Sequence, residues 1–64
     1  MSPHLEKAAA KLRAIMPINK QMMAYDIISK SAGFKNLGSY LSTIASFPES
    51  GIKRIEHGLY ERVK

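Results

Sequence analysis

The sequence predicts a small α+β fold, mainly helical, in which three helices are followed by one β-hairpin. Three observations predict it. Residues Ile52 to Val63 read Ile-Lys-Arg-Ile-Glu-His-Gly-Leu-Tyr-Glu-Arg-Val, two β-prone runs around a Glu56-His57-Gly58 turn, and Gly58 can supply the positive φ of a tight hairpin. The residues before them carry apolar side chains at spacings of three and four, the period of helices with one buried face. Pro17, Gly33 and Pro48 cut that helical stretch into three segments.

The first helix spans about residues 3–16. Ser2 is its cap and Pro3 takes the first helical position, where a missing N–H is harmless. Leu5, Ala8, Ala9, Leu12, Ile15 and Met16 form one face, while His4, Lys7, Lys11 and Arg13 lie elsewhere on the cylinder and read as solvated surface. Pro17 stops the helix and pushes Met16 toward an extended conformation. The second helix is expected over about 20–32, capped by Asn19, with Ala24, Ile27, Ile28 and Ser31 on one face and Tyr25 at its edge. At least one of Met22 and Met23 is expected to plug an irregular gap in the core. Gly33 ends this helix as a left-handed cap, and Phe34 anchors the turn. The third helix spans about 37–46, capped by Asn36. Leu37, Tyr40 or Leu41, Ile44 and Ala45 make its inner face. Phe47 folds back on the core, and Glu49-Ser50-Gly51 turns the chain into the hairpin, about 52–63. The hairpin can close over His57-Gly58 or over three residues with Glu56 included, and these registers place Lys53 and Arg54 on opposite faces.

Length and composition set further bounds. At 64 residues the chain is one domain, and a chain of this size hides only about 60% of its unfolded surface. Hydrophobic residues make up 45% of it, enough for a small core. Absence of cysteine removes disulfides and thiolate chemistry and fits a reducing cytoplasm. Two histidines and five carboxylates at scattered spacings do not make a zinc site. No apolar run approaches the roughly 18 residues of a membrane span. There is no glycine-rich phosphate loop and no nucleophile motif with a following base, and capping explains the numerous serines. An enzyme, a cofactor and a small-molecule ligand are therefore not expected. The net charge of +5, with a pI near 9.8, favours phosphate-rich or acidic partners.

Three features converge between Ile28 and Ile44. Ala32-Gly33-Phe34 is a small-Gly-apolar turn suited to joining two helices steeply. The helix after it is short and starts with small polar residues. No carboxylate occurs from Ile27 through Pro48, as suits a helix lying between two rows of phosphates. Its outward positions are Lys35, Asn36, Ser39, Ser42, Thr43 and Ser46, all able to hydrogen-bond bases or phosphates without repulsion.

These residues carry a resemblance. Gly33-Phe34 followed by Ser39-Tyr40-Leu41 and Ile44 resembles the helix-turn-helix core of bacterial transcription regulators, and the Gly-Phe, Ser-Tyr pairing is similar to that of the arabinose-regulator family. The chain departs from that family at Ser29, where a small alanine is usual, in an interval from Gly33 to Ser39 one residue longer, and in having no second helix-turn-helix. The winged helix-turn-helix class is the closer match, because Gly58-Leu59-Tyr60 is similar to the Gly-x-Tyr turn that closes such domains. The resemblance implies that Met16-Pro17-Ile18 supplies a short first strand and that the third helix sits in the major groove of double-stranded DNA. It also implies that the hairpin lies on the backbone or in the minor groove. The DNA-contacting residues it implies are Lys35, Asn36, Ser39, Ser42, Thr43, Lys53, Arg54 and His57, with Arg62 beside Glu61 less favoured. Tyr40 and Tyr60 are expected to pack with their hydroxyls at the edge, and Glu56 and Glu61 to pair with Arg54, Arg62 or Lys53. The expected role is a small transcriptional regulator or DNA-packaging protein of a phage or plasmid type, cytoplasmic or nucleoid-associated, acting alone or as a homodimer. The rival expectation is a protein-interaction adaptor docking through the apolar, methionine-containing edge of helix two.

Overall fold

The computed structural model describes all 64 residues. Its elements run α1 (Pro3–Ile15), β1 (Gln21–Met23), α2 (Ala24–Ser29), α3 (Leu37–Ala45), β2 (Ile52–Glu56) and β3 (Leu59–Arg62), with a 3-10 turn at Pro48–Ser50. They form a small α+β fold of three helices and a three-stranded antiparallel sheet of order β1-β3-β2.

Helix α1 forms where capping and spacing agree. The Ser2 hydroxyl accepts the Leu5 N–H at 3.3 Å, and Pro3 opens the first turn. Glu6 sits in that turn, on the favourable end of the helix dipole. Ala8, Ala9, Leu12 and Met16 are buried as the spacing requires. Met16 leaves the helix in an extended conformation before Pro17.

The second helix differs most from expectation. It begins at Ala24 rather than near residue 20, and it ends at Ser29 rather than near 32. Asn19 is not its cap; it adopts a left-handed turn conformation with φ 62°, which asparagine tolerates. The three residues Gln21–Met23 belong instead to β1, whose partners in β3 are Glu61, Tyr60 and Leu59. This strand, and not Met16-Pro17-Ile18, is the first one; Ile18 makes only an isolated parallel bridge to Arg62. Pairing with a distant strand thus takes the backbone groups that a local helix would have used. At the far end the Ser29 and Ser31 hydroxyls donate to the Asp26 and Ile28 carbonyls, the local competition that weakens helices rich in serine. Gly33 is left-handed with φ 84°, but it lies in the turn beyond the Lys30 cap rather than at the cap itself. The Phe34 N–H closes that turn on the Ser31 carbonyl at 2.9 Å.

Asn36 does precede α3, yet it caps nothing with its side chain, because its backbone is left-handed with φ 63°. Leu37, Leu41 and Ile44 point inward, and Tyr40 and Ala45 are half-buried. After Pro48–Ser50, Gly51 (φ 79°) turns the chain into β2. Ser50 is fully buried, and its hydroxyl accepts the Ile52 N–H at 3.1 Å. The hairpin closes over the two residues His57-Gly58, with Glu56 facing Leu59 and Arg54 facing Tyr60. Ile55 is the extra residue of a β-bulge between those pairs.

The core is built from all three helices and both hairpin strands: Ala8, Ala9, Leu12, Met16, Ile27, Leu37, Leu41, Ile44, Ile52 and Tyr60. Phe34 only packs against its edge, half-buried. Ile44→Ala should therefore lower stability by about 2–5 kcal/mol, the cost of emptying a closed site. Phe34→Ala should cost less, and urea denaturation of the two variants checks the order.

Candidate nucleic-acid interface

The outer side of α3 carries short polar side chains because its inner side is filled by Leu37, Leu41 and Ile44. Ser39, Ser42 and Thr43 are exposed along it, with Lys35 and Asn36 exposed just ahead of its first turn. Two of its hydroxyls already have partners. Ser46 donates to the Thr43 carbonyl, and the Ser42 hydroxyl lies 3.3 Å from the Tyr60 hydroxyl. The second contact joins the outer edge of α3 to the central strand of the sheet.

Strand alternation settles the direction of the hairpin cations. Ile52, Arg54, Tyr60 and Arg62 face one another across the β2–β3 pairing, and Ile52 and Tyr60 are buried against the helices. Arg54 therefore lies on the helix side of the sheet, the side that α3 packs against. It is exposed, and its Nη2 lies 3.4 Å from Nδ1 of His57 at the turn. Lys53 is opposite Glu61, which is opposite Gln21, and these three share the outer face. Gln21 Nε2 donates to Glu61 Oε1 at 3.3 Å there. Of the residues named from the sequence, Ser39, Ser42 and Thr43 lie along α3 with Lys35 and Asn36 just ahead of it, Arg54 lies on the sheet face turned toward that helix, and His57 sits beside Arg54 in the hairpin turn. Lys53 faces away.

The hairpin tip is held in place. The Ala24 N–H, opening α2, donates to the Gly58 carbonyl at 2.8 Å, and Met23 pairs with Leu59. The turn is thus braced against the start of a helix on one side.

Two arginines have structural duties. The Arg62 guanidinium donates to the Arg13 carbonyl at 3.0 Å, the Met16 carbonyl at 3.3 Å and the Lys64 carbonyl at 2.7 Å. The first two lie in the last turn of α1, where helix carbonyls lack partners and the dipole attracts a cation. Arg13 in turn donates from Nη1 to the Ser50 carbonyl at 2.7 Å. Pairing of Arg62 with a neighbouring glutamate gives way to these carbonyls because Arg62 shares the inner face with Tyr60. That alternation is visible in the sequence, but the helix end it reaches is not.

A further junction has no sequence signal beyond the residues themselves. His4 Nε2 lies 2.9 Å from the Tyr40 hydroxyl, the two rings meet edge-on with centroids 5.0 Å apart, and Phe34 lies 6.0 Å from His4. The start of α1 is thereby fastened to the flank of α3.

No pocket opens in the molecule, no group of three or more His, Cys, Asp or Glu is arranged to hold a metal ion, and no helix is long and apolar enough to cross a membrane. In comparisons with protein-family models, with curated proteins and with solved structures, nothing matches the chain.

Arg62→Gln should destabilise the protein by about 1–3 kcal/mol, since charge-assisted bonds to otherwise orphaned carbonyls are lost. Lys53→Gln should change stability by less than about 0.5 kcal/mol. Thermal denaturation followed by circular dichroism distinguishes the two.

Proposed function

We propose that this protein is a winged helix-turn-helix module that binds double-stranded DNA, with α3 in the major groove and the hairpin against the adjacent backbone. The element order helix, strand, helix, helix, strand, strand, with the first strand beside the last, is the one expected of that class. The observation that carries the reading is the placement of Arg54, with His57 beside it in the turn, on the sheet face that packs against an acid-free α3. Cations and hydrogen-bonding groups then meet one ligand without a carboxylate between them. From Ile27 through Pro48 the chain has two lysines and no acid.

The arrangement supports binding dominated by phosphates. Ser39, Ser42 and Thr43 are short and cannot make the bidentate base contacts that arginine, asparagine or glutamine provide. The braced turn favours the backbone over deep insertion into the minor groove. The molecule extends 24 Å along its longest direction, so one copy spans about 7 base pairs at 3.4 Å each. Modest specificity for one copy follows, and a homodimer on paired half-sites would raise it. A role in transcriptional regulation or DNA packaging fits these properties.

A second reading rests on Met23, Tyr25 and Ile28, large apolar side chains left exposed at the β1–α2 junction and along α2, with Tyr25 68% exposed. Such a patch suits an adaptor that docks on another protein. Fluorescence anisotropy with a labelled random-sequence duplex separates the two readings. Under the DNA reading, micromolar binding at about 50 mM salt weakens steeply as salt rises. Lys35→Ala combined with Arg54→Ala lowers affinity about ten-fold or more while the fold persists, since both side chains are exposed. Absence of binding at low salt, with chemical-shift changes on partner addition centred at Met23 and Tyr25, would favour the adaptor.

A further inference from the structure

We infer that α1 carries a second phosphate-binding strip, formed by Lys7 and Lys11, along the side of α3 opposite the hairpin. The inference rests on the DNA reading above and extends its interface to a third element.

Two contacts fix the sides of α3. Ser42 reaches Tyr60 of the sheet, and Tyr40 reaches His4 of α1. At about 100° per residue, Ser42 and Tyr40 lie roughly 160° apart around the helix axis, with Ser39, Thr43 and Ser46 in the exposed arc between them. The outer stripe of α3 is therefore bordered by the sheet on one side and by α1 on the other.

On α1 the residue that meets α3 is His4. Lys11 lies about 20° from His4 around the α1 axis, and Lys7 about 60°. Both lysines thus follow the same edge of α1 that faces Tyr40. Lys7 is exposed and Lys11 half-buried, as expected of a long side chain laying its stem along apolar surface with the ammonium in water. The acid of this helix, Glu6, is about 140° from Lys11 on the far side. The edge of α1 that carries the two lysines therefore holds no acid of its own.

The other end of α1 is held as firmly. Arg62 binds its terminal carbonyls, and Arg13 binds the Ser50 carbonyl just beyond α3. The lysine edge runs from the Tyr40 contact toward the far end of α3 between two anchored ends. Packed helices lie about 8–10 Å apart, more than the roughly 6 Å half-width of a major groove about 12 Å wide, so a helix beside α3 lies over the border of the groove. With α3 in the groove, Lys7 and Lys11 would face the phosphates of one bordering strand while Arg54 and His57 face those of the other. His4 acts as a positioning residue here, holding α1 beside α3.

The test uses the whole chain and a labelled 20-base-pair random-sequence duplex, with anisotropy read across a salt series. Lys7→Gln with Lys11→Gln should weaken binding about five- to ten-fold at low salt and reduce the slope of log affinity against log salt by about 1–2, the loss expected for one or two phosphate contacts. Glutamine keeps helix propensity, and circular dichroism checks the fold. Lys53→Gln with Lys64→Gln removes the same charge from residues outside α1 and α3, and it should leave the slope within about 0.5 of the wild-type value. Equal losses in the two double variants would overturn the inference, because net charge alone would then explain them. An unchanged slope in the α1 variant, with affinity still lost on replacing Lys35 and Arg54, would remove α1 from the interface and leave the DNA reading standing. A wild-type protein that fails to bind the duplex would sink that reading, and this one with it.

Discussion

Strand β3 is the constraint on which the rest of the structure depends. Its four residues pair with β1 on one side and β2 on the other, so no sheet exists without it. Tyr60 fills the core and touches α3 through its hydroxyl, and Arg62 two residues on caps α1. One short strand therefore sets the position of two helices by two kinds of interaction. Tyrosine works at that place because its ring is apolar and its tip polar, so it can be buried and still reach Ser42. Arginine works at the next inward position because five donors on a planar group can serve several carbonyls at once.

The legible parts of this fold were those decided within a few residues of chain. The bounds of α1 follow from Ser2, Pro3 and Pro17, and those of α3 from Asn36 and the Leu37-Leu41-Ile44 face. The hairpin follows from Gly58. Strand β1 was not legible, because Gln21-Met22-Met23 has neither β-branched residues nor clear alternation, and its existence depends on a partner about forty residues away. The same hidden pairing shortened α2 and turned Asn19 from a helix cap into a left-handed turn. At Asn36 the position was readable and the mechanism was not, since a side-chain cap requires an extended backbone that this turn does not supply.

The candidate site divides in the same way. An acid-free third helix and a basic hairpin are plain in the sequence. Which hairpin cation turns toward the helix depends on register, and the bulge at Ile55 with Arg54 opposite Tyr60 decides in favour of Arg54. The duties of Arg13 and Arg62 could not be read, because their acceptors are backbone carbonyls with no signature in side-chain chemistry. Of the charges that give the chain its positive balance, these two stabilise the molecule itself, which leaves lysines and Arg54 as the cations free for a ligand. The His4–Tyr40 junction belongs with the unread features, since residues 36 positions apart meet only after the chain has folded.

The pairing of Gln21 with Glu61 has a kinetic side. Closing a loop of about forty residues costs entropy before any strand contact rewards it, so the helices should order before the sheet does. During synthesis the stretch before Leu59 has a half-formed interior: Ile27, Leu37 and Ile44 exist, but the tyrosine that lies under them does not. The core of this fold therefore cannot close until β3 has emerged from the ribosome.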